Sequence, residues 1–294
     1  MLQKKQNKKL WGIMLRDNWF FEDDMPLAVA FQVKGSIYSS KSKYQKIEIL
    51  DSINMGKIML LDDKVMVTEK DEFYYHETIV HASLSIHPDP KKVMVIGGGD
   101  GGTVREVLKY KSIEEAELVE IDEEVINVSK KYFPEVACEL NNPKLKIKVN
   151  DAIEYVKNVK ESSYDAILCD STDPQGFALG LISKDFYKNA AKALKEKGIY
   201  ICQSGSLLIQ EKEFKTALDN MRSAFKYVDA IVSIVPSYPG CLWSFLIASN
   251  KPIDKKIKNM PQGKTKYWNP ELHEKLFSKP NWLKEKYFQL QNVM

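Results

Sequence analysis

Several acidic side chains follow apolar, strand-like runs, at the places where those runs end. In an open parallel sheet, ligands bind outside the carboxyl ends of the strands, so we expect these acids to face one crevice. Carboxylates around a crevice attract cationic ligands, and a carboxylate is also able to accept a proton from a bound ligand. The acids are Asp100, Glu120, Asp151, Asp170 and Asp173.

A glycine-rich segment, residues 97–102 (Gly-Gly-Gly-Asp-Gly-Gly), follows the apolar run Val93–Ile96 and precedes a helical stretch. This position is typical of a nucleotide-binding turn, in which glycines let the backbone turn sharply and approach a ligand. The segment does not end in Gly-Lys-Ser or Gly-Lys-Thr, which excludes a P-loop for triphosphates. A plain tight turn is the alternative interpretation.

The carboxylate of Asp100 inside this loop separates two classes of nucleotide. It repels a pyrophosphate at the helix N-terminus but attracts the positive sulfur of S-adenosylmethionine or of its decarboxylated form. Glu120 stands where Rossmann-type sites place a carboxylate on the ribose hydroxyls. Asp151 is expected to accept from an adenine amine or to cap the next helix, while Asp122 is expected mainly to cap a helix.

The elements that position these acids change in character near residue 85. Up to that point the pattern predicts an antiparallel β domain with a linking helix, residues 1–85. Beyond it, strands alternate with helices, which predicts an α/β domain over residues 86–294 with a Rossmann-like, methyltransferase-type doubly wound sheet and a C-terminal helical extension. The early strands are predicted at Leu27–Lys34, Tyr44–Leu50, Lys57–Leu61 and Lys64–Thr68, and the linking helix at Asp71–Leu84, with Asp71 as N-cap.

Composition limits the class of function. The 294 residues include 43 basic and 40 acidic side chains, a net charge of +3, so no strong basic excess points to nucleic acid. No run is long and apolar enough for a membrane span. The four cysteines form no CxxC pair, which predicts no metal site and suits the reducing cytoplasm.

The chain resembles the spermidine synthases, the polyamine aminopropyltransferases, over nearly its full length. The matching segments are Tyr44-Gln45, Gly56–Asp62, Thr68–Phe73, Tyr75-His76-Glu77, Gly97–Gly102, Glu120-Ile121-Asp122, Asp151, Asp170–Pro174, Gln203 and Pro236–Pro239. So many motifs in the same order are specific, whereas the glycine loop alone is a weak signal.

The resemblance implies a role for each matching position. Asp170 resembles the catalytic acid of the family, which removes or orients a proton of the attacking amine. Contacts to decarboxylated S-adenosylmethionine, a co-substrate and not a prosthetic group, are implied for Gln45, His76, Gly97, Asp100, Glu120, Ile121, Asp151 and Ala152. Contacts to the cationic diamine are implied for Glu22, Tyr75, Asp173, Gln203 and Tyr238. The resemblance also implies at least a homodimer.

Two departures from the family pattern concern the amine side of the site. The family's closing loop corresponds to Thr172–Ser183, where Phe177 stands at a position that is usually proline, and Gly180 follows. Met25 stands where some relatives carry a tryptophan, and a flexible side chain there could change the preferred size of the amine. Putrescine is therefore the first but not the only acceptor to consider.

Three rival functions stay open at this point. A small-molecule methyltransferase on the same fold predicts tight binding of S-adenosylmethionine and no use of Asp170 and Asp173. A Rossmann dehydrogenase is disfavoured by Asp100. A regulatory or assembly protein without catalytic activity is disfavoured by the intact set Asp170, Tyr75 and Asp173.

Overall fold

The computed structural model describes residues 18–22, 27–174 and 176–289. Its first sheet has five antiparallel strands in chain order. They are β1 (Trp19–Glu22), β2 (Val29–Lys41), β3 (Lys46–Ser52), β4 (Lys57–Leu61) and β5 (Lys64–Thr68). The predicted antiparallel sheet is confirmed.

Strand β2 is longer than the sequence pattern predicted, and β1 was not predicted. The second half of β2 is rich in Ser, Gly and Lys, and its polar and apolar residues do not alternate. It is nevertheless paired with β3, with irregularities in the register near Gly35 and Tyr38. Strand β1 has only four residues, too few for a period to be detected. Its pairing with β2 brings Glu22 opposite Val29.

Helix α1 (Glu72–Leu84) connects the two sheets. Asp71 does occupy the N-cap position, but its side chain makes no capping hydrogen bond. Instead, its carboxylate accepts hydrogen bonds from the Thr68 hydroxyl at 2.7 Å and from the backbone N–H of Ser237 at 2.7 Å. Asp71 thus joins the first sheet to the loop after residue 235, and its predicted position at the N-cap of α1 is confirmed.

The second sheet has seven strands in the order β11-β12-β10-β9-β6-β7-β8. The strands are β6 (Lys92–Gly97), β7 (Glu115–Glu120), β8 (Leu145–Val149), β9 (Tyr164–Asp170), β10 (Leu194–Ser206), β11 (Tyr227–Ile234) and β12 (Leu242–Ser249). The helices are α2 (Gly102–Leu108), α3 (Glu123–Tyr132), α4 (Ala152–Lys157), α5 (Lys184–Ala193), α6 (Glu211–Arg222), α7 (Pro270–Leu276) and α8 (Asn281–Tyr287).

Strand order reverses beside β6, which pairs in parallel with β7 on one side and with β9 on the other. Gly97, at the end of β6, is the register partner of Asp170, at the end of β9. Such a reversal opens a crevice at the carboxyl ends of the strands. Strand β12 is antiparallel to both of its neighbours, so the sheet is mainly and not wholly parallel.

Two separate cores cover the two faces of this sheet. Along β6, Val93 and Val95 belong to one core, whereas Met94 and Ile96 belong to the other. A strand whose alternate side chains enter different cores is buried on both faces, as in a doubly wound α/β fold. The predicted fold class is confirmed.

Strand β11 was missed because it lies at the sheet edge with a mixed burial pattern. Within the described ranges, no helix has the length and apolar character that crossing a bilayer requires.

Candidate active site

A cavity of about 490 Å³ lies at the carboxyl ends of the second sheet, with one wall formed by the first sheet. The structure brings almost all of the predicted site residues to this cavity. Its lining includes Glu22, Gln45, Tyr75, Gly97, Asp100, Glu120, Ile121, Asp151, Ala152, Asp170, Asp173, Gln203 and Tyr238. His76 does not line it and lies behind Asp100.

The glycine loop is packed against the protein itself as well as facing the cavity. At Gly97, φ is +70°, and a Cβ there would overlap the carbonyl oxygen of Asp170. At Gly102, a Cβ would overlap the imidazole ring of His76. Glycine at these positions therefore permits the close approach of β6 to β9 and of α2 to α1, in addition to the approach to a ligand that the sequence predicted.

Asp170, the last residue of β9, lines the cavity. The hydroxyl of Thr103 donates to it at 2.6 Å. Burial and the nearby charge of Asp100 raise the pKa of Asp170, while His76, Thr103 and Tyr75 act in the opposite direction. A carboxylate with a raised pKa is a better proton acceptor than an ordinary surface aspartate.

Behind Asp100, α1 and α2 share a buried network of charges. The Nδ1 atom of His76 lies 2.6 Å from Glu72, and its Nε2 atom lies 3.4 Å from Asp100. Arg105 donates to the same Glu72 carboxylate at 2.8 Å. Burial opposes protonation of His76, but Asp100 and Glu72 raise its pKa well above the usual value. The two acids therefore favour the imidazolium form of the ring, and its charge lowers the pKa of Asp100 against the effect of burial.

The same network bears on metal binding. Donor atoms of His76, Asp100 and Asp170 lie within 4.8 Å of one another, a spacing that metal ligands also show. A metal requires an unprotonated ring nitrogen, whereas the two acids around His76 favour the protonated ring. The expectation of no metal site stays a prediction.

On the side of β7 and β8, backbone groups fix three acids. Glu120 accepts hydrogen bonds from the N–H of Gly99 at 3.2 Å and of Asp122 at 2.9 Å, and burial raises its pKa to about 7. Asp151 accepts from the N–H of Ile153 at 2.8 Å and caps α4. Asp122 caps α3, as expected, and also accepts from the side-chain amide of Gln45 at 2.9 Å. Gln45 thereby ties the first sheet to this wall.

The opposite end of the cavity contains two further acids, Asp173 and Glu22. Asp173 accepts a hydrogen bond from the side chain of Gln210 at 2.6 Å, and Glu22 accepts from the N–H of Val65 at 3.1 Å. Burial raises the pKa of both, that of Glu22 to about 7. Gln203 donates to the carbonyl oxygens of Ser171 at 3.1 Å and Thr172 at 3.3 Å, so it supports the backbone that presents Asp173.

Aromatic rings form the wall between the two groups of acids. The ring centroids of Tyr75 and Tyr238 are 5.9 Å apart, and those of Tyr238 and Trp243 are 4.6 Å apart. The Tyr238 hydroxyl donates to the carbonyl oxygen of Met66 at 2.6 Å, which fixes the ring against β5. These aromatic faces suit a ligand with apolar and positively charged parts.

Sequence reasoning missed several residues of this site. Thr103 directly follows the glycine loop, so its position was a usable signal. Gln210 had no such signal, because its contact with Asp173 spans 37 residues of chain. Lys64 and Trp243 also line the cavity.

The segment expected to close over the site contains a 3₁₀ helix, Gly176–Ile182. Ala178 and Leu181 of this helix line the cavity, while Leu179 is 55% exposed. Gly180 packs closely against Ile153. The side chain of Phe177 and the whole of Met25 lie outside the described residues, so their expected effects stay predictions.

Family models match both sheets. Residues 72–258 match the spermine/spermidine synthase domain, and residues 18–69 match the spermidine synthase tetramerisation domain. The chain belongs to the spermine/spermidine synthase family. It is an enzyme of the polyamine aminopropyltransferase class, as predicted.

Curated relatives and solved structures agree with this assignment. A polyamine aminopropyltransferase of Caldicellulosiruptor bescii is 41% identical over 270 residues, covering 91% of this chain and 97% of the relative. That of Moorella thermoacetica is 38% identical over 274 residues, covering 92% and 96%. A spermidine synthase solved in complex with the transition state analogue AdoDATO has a TM-score of 0.88 at 34% identity, covering 95% of this chain and 97% of that one. The spermidine synthase of Thermotoga maritima has a TM-score of 0.84 at 32% identity, with the same coverage.

Proposed function

We propose that the enzyme transfers the aminopropyl group of decarboxylated S-adenosylmethionine to putrescine, giving spermidine and methylthioadenosine. The proposal rests on one cavity. Acids line it both beside the glycine loop, which is typical of nucleoside binding, and at its opposite end. Both substrates are cations, and carboxylates in a confined crevice concentrate cations. The relative solved with a transition state analogue is a spermidine synthase, which supports the same chemistry.

The glycine-loop end is proposed to bind the donor. Glu120 is held by two backbone N–H groups and is suited to accept hydrogen bonds from ribose hydroxyls, while Gln45, Ile121, Asp151 and Ala152 provide the rest of this wall. Asp100 provides negative charge near the sulfonium and the amino group. It also repels the carboxylate that S-adenosylmethionine carries and its decarboxylated form lacks, which gives selectivity for the donor.

The Asp173 end is proposed to bind the distant ammonium of the diamine, and Asp170 to receive the proton of the attacking amine. The neutral amine nitrogen forms a bond to the terminal carbon of the aminopropyl group. The bond between that carbon and sulfur breaks, and its electron pair stays on sulfur in methylthioadenosine. Fixing both substrates in line across this cavity supplies much of the rate enhancement. His76 supports the reaction indirectly, because it holds Asp100 in place from behind.

We also propose that the chain self-associates at least as a homodimer in the cytoplasm. The match of residues 18–69 to a tetramerisation domain supports self-association, and Trp19 and Ile37 of the same sheet are 39% and 46% exposed in the single chain. Free cysteines at all four positions suit a reducing compartment. Sedimentation equilibrium tests the proposal, and a monomer at micromolar concentration contradicts it.

The decisive assay follows methylthioadenosine release from decarboxylated S-adenosylmethionine with putrescine, cadaverine, agmatine and spermidine. Highest kcat/KM with putrescine supports the proposal. Highest kcat/KM with another amine would keep aminopropyl transfer as the reaction but change the acceptor. Other amines are worth testing because the lid sequence near Phe177 departs from the family pattern. Methyl transfer from S-adenosylmethionine without methylthioadenosine release overturns it.

A further inference from the structure

Strand β10 has an irregularity at the point where it reaches the cavity. Gln203 is the register partner of Phe245 in β12. The next pair joins Ser206 to Trp243, so β10 has one residue more than β12 over this span. Gly205 lies within this bulge, with φ of +76°. A β-bulge bends its strand and redirects the groups around it, and bulges are common beside active sites.

Two successive backbone N–H groups of the bulge orient two buried glutamine side chains. The N–H of Gly205 donates to Oε1 of Gln203 at 2.9 Å. The N–H of Ser206 donates to Oε1 of Gln210 at 2.7 Å. Because a backbone N–H is only a donor, each amide oxygen faces the bulge, and each amide NH₂ group is left to donate elsewhere. Both NH₂ groups donate to the loop that follows β9.

The amide of Gln210 reaches a carboxylate of the cavity wall. Its Nε2 atom donates to Oδ2 of Asp173 at 2.6 Å, whereas Gln203 donates to backbone carbonyl oxygens of the same loop. Gln210 is 5% exposed and does not itself line the cavity. Hydrogen bonds to ionised groups are shorter and stronger than those between neutral groups. Gln210 therefore holds one oxygen of Asp173 from outside the cavity.

The backbone of Gln210 is fixed as well. Its N–H donates to the carbonyl oxygen of Ser206 at 2.9 Å, and its own carbonyl oxygen accepts from the N–H of Phe214 in α6 at 3.0 Å. A Cβ at Gly205 would lie 2.5 Å from Oε1 of Gln210, so the glycine leaves room for the amide over the bulge. The bulge and the start of α6 together fix the side chain that contacts Asp173.

We infer that Gln210 is a positioning residue that sets the affinity for the amine acceptor by fixing the carboxylate of Asp173. The inference rests on the proposed function, because it assigns the Asp173 end of the cavity to the acceptor. Burial raises the pKa of Asp173, whereas the hydrogen bond from Gln210 lowers it and so favours the ionised form that attracts an ammonium. A carboxylate that is oriented before the substrate arrives also costs less to order on binding.

Two variants remove the contact, and a third is a matched control. Gln210→Met keeps an unbranched side chain but bonds neither Ser206 nor Asp173. Gln210→Asn keeps the amide but withdraws it by one methylene. The control is Ser249→Ala, which removes another buried hydrogen bond to β10, the one of 2.9 Å to the carbonyl oxygen of Gly198 near the start of the strand.

For each variant, kcat and KM are measured for putrescine and for decarboxylated S-adenosylmethionine, and urea unfolding checks the fold. Both Gln210 variants should lower kcat/KM for putrescine by about ten-fold or more, the scale of a hydrogen bond to a charged group, while KM for the donor changes by less than about two-fold. Ser249→Ala should lose some stability but keep the kinetic constants for both substrates. Folded Gln210 variants with an unchanged kcat/KM for putrescine overturn the inference.

A double-mutant cycle tests whether Gln210 acts through Asp173. Asp173→Ala removes the carboxylate that the amide holds. If Gln210 acts by positioning that carboxylate, Gln210→Met should change kcat/KM for putrescine by less than about two-fold in the Asp173→Ala background. A further loss of about ten-fold in that background would show that Gln210 acts by another route, and it would overturn the inference.

Calorimetric titration of putrescine into the wild-type protein and Gln210→Met, in the presence of methylthioadenosine, separates this inference from the proposed function. If no amine supports turnover, the proposed function fails, but binding of putrescine that is about ten-fold weaker in Gln210→Met still supports the role of Gln210. If turnover occurs and putrescine binds both proteins equally, the role of Gln210 fails alone.

Discussion

The imidazole of His76 lies between two acids, with Nε2 3.4 Å from Asp100 and Nδ1 2.6 Å from Glu72. A buried side chain whose surroundings favour its cationic form is thus placed directly behind an acid of the cavity wall. Asp100 in turn raises the pKa of Asp170, whereas His76 lowers it. The ionisation of the proposed proton acceptor therefore depends on a residue that does not line the cavity.

Replacing His76 with glutamine removes this cation while keeping a polar side chain. Because carboxylates without a nearby cation ionise less readily, the pKa of both Asp100 and Asp170 should rise. The acid limb of the pH profile of kcat/KM should then move to higher pH. His273→Gln is the control, since His273 is also fully buried but lies on α7 and contacts the carbonyl oxygen of Lys255. An unshifted His76→Gln profile would show that this network does not control the site.

The same network predicts how stability depends on pH. The pKa of His76 is raised on folding, so its contribution is fully present below its unfolded pKa of about 6.5 and is lost as pH rises through the folded value. The pKa of Glu72 is lowered to about 2, so its contribution is present above the unfolded value and is lost as pH falls toward 2. Urea unfolding of the wild type and His76→Gln at several pH values measures the difference. The contribution of His76 to the free energy of unfolding should vanish at alkaline pH. A difference between the two proteins that stays constant from pH 6 to 10 would contradict this prediction.

Replacing Asp170 with asparagine should lower kcat by about 100-fold or more while leaving donor binding intact, because a general base is lost without a change of shape. Single-turnover kinetics and a separate titration with methylthioadenosine distinguish the two effects. Asp185→Asn, in the exposed first turn of α5, is the control. Wild-type turnover in the Asp170→Asn enzyme would remove this residue from the proposed mechanism.

Replacing Gly97 with alanine tests the packing of the glycine loop. A Cβ at this position overlaps the Asp170 carbonyl in addition to requiring a left-handed backbone, so we expect a loss of about 3 kcal/mol or more in the free energy of unfolding. Gly263→Ala is a close control, because Gly263 has φ of +81° but nothing within 4 Å of a new Cβ. It should cost only about 1 kcal/mol. Equal losses in urea unfolding would show that backbone strain, and not crowding, requires the glycine.

Glu77, which follows His76 on α1, binds the backbone of residues 266–268, a segment that precedes α7. Its carboxylate accepts hydrogen bonds from the N–H groups of Lys266, Tyr267 and Trp268 at 2.7, 2.8 and 2.8 Å. Glu77→Gln removes the charge and one acceptor, which should destabilise the fold by about 1–3 kcal/mol. Hydrogen exchange should increase first at residues 266–268. Glu274→Gln, on the exposed face of α7, should change neither measurement.

The parts of this structure that the sequence predicted are those with a local signal. An acid such as Asp170, placed directly after a buried strand, predicts both a strand end and a ligand site, and the cavity contains it. The parts that it missed depend on contacts between distant residues. Glu77 and Trp268 are separated by 191 positions, and neither has a neighbouring pattern that points to the other. Likewise, β11 is defined only by its pairing with β12, which no periodicity of its own residues indicates.

The tight packing of the glycine loop has a consequence for the thermodynamics of ligand binding. Gly97 and Gly102 are enclosed by Asp170 and His76, so the loop loses its conformational entropy when the chain folds and not when a nucleoside arrives. Ordering this part of the site therefore subtracts little from the affinity for the donor. The 3₁₀ helix at Gly176–Ile182 contributes Ala178 and Leu181 to the same cavity, while its Leu179 is 55% exposed.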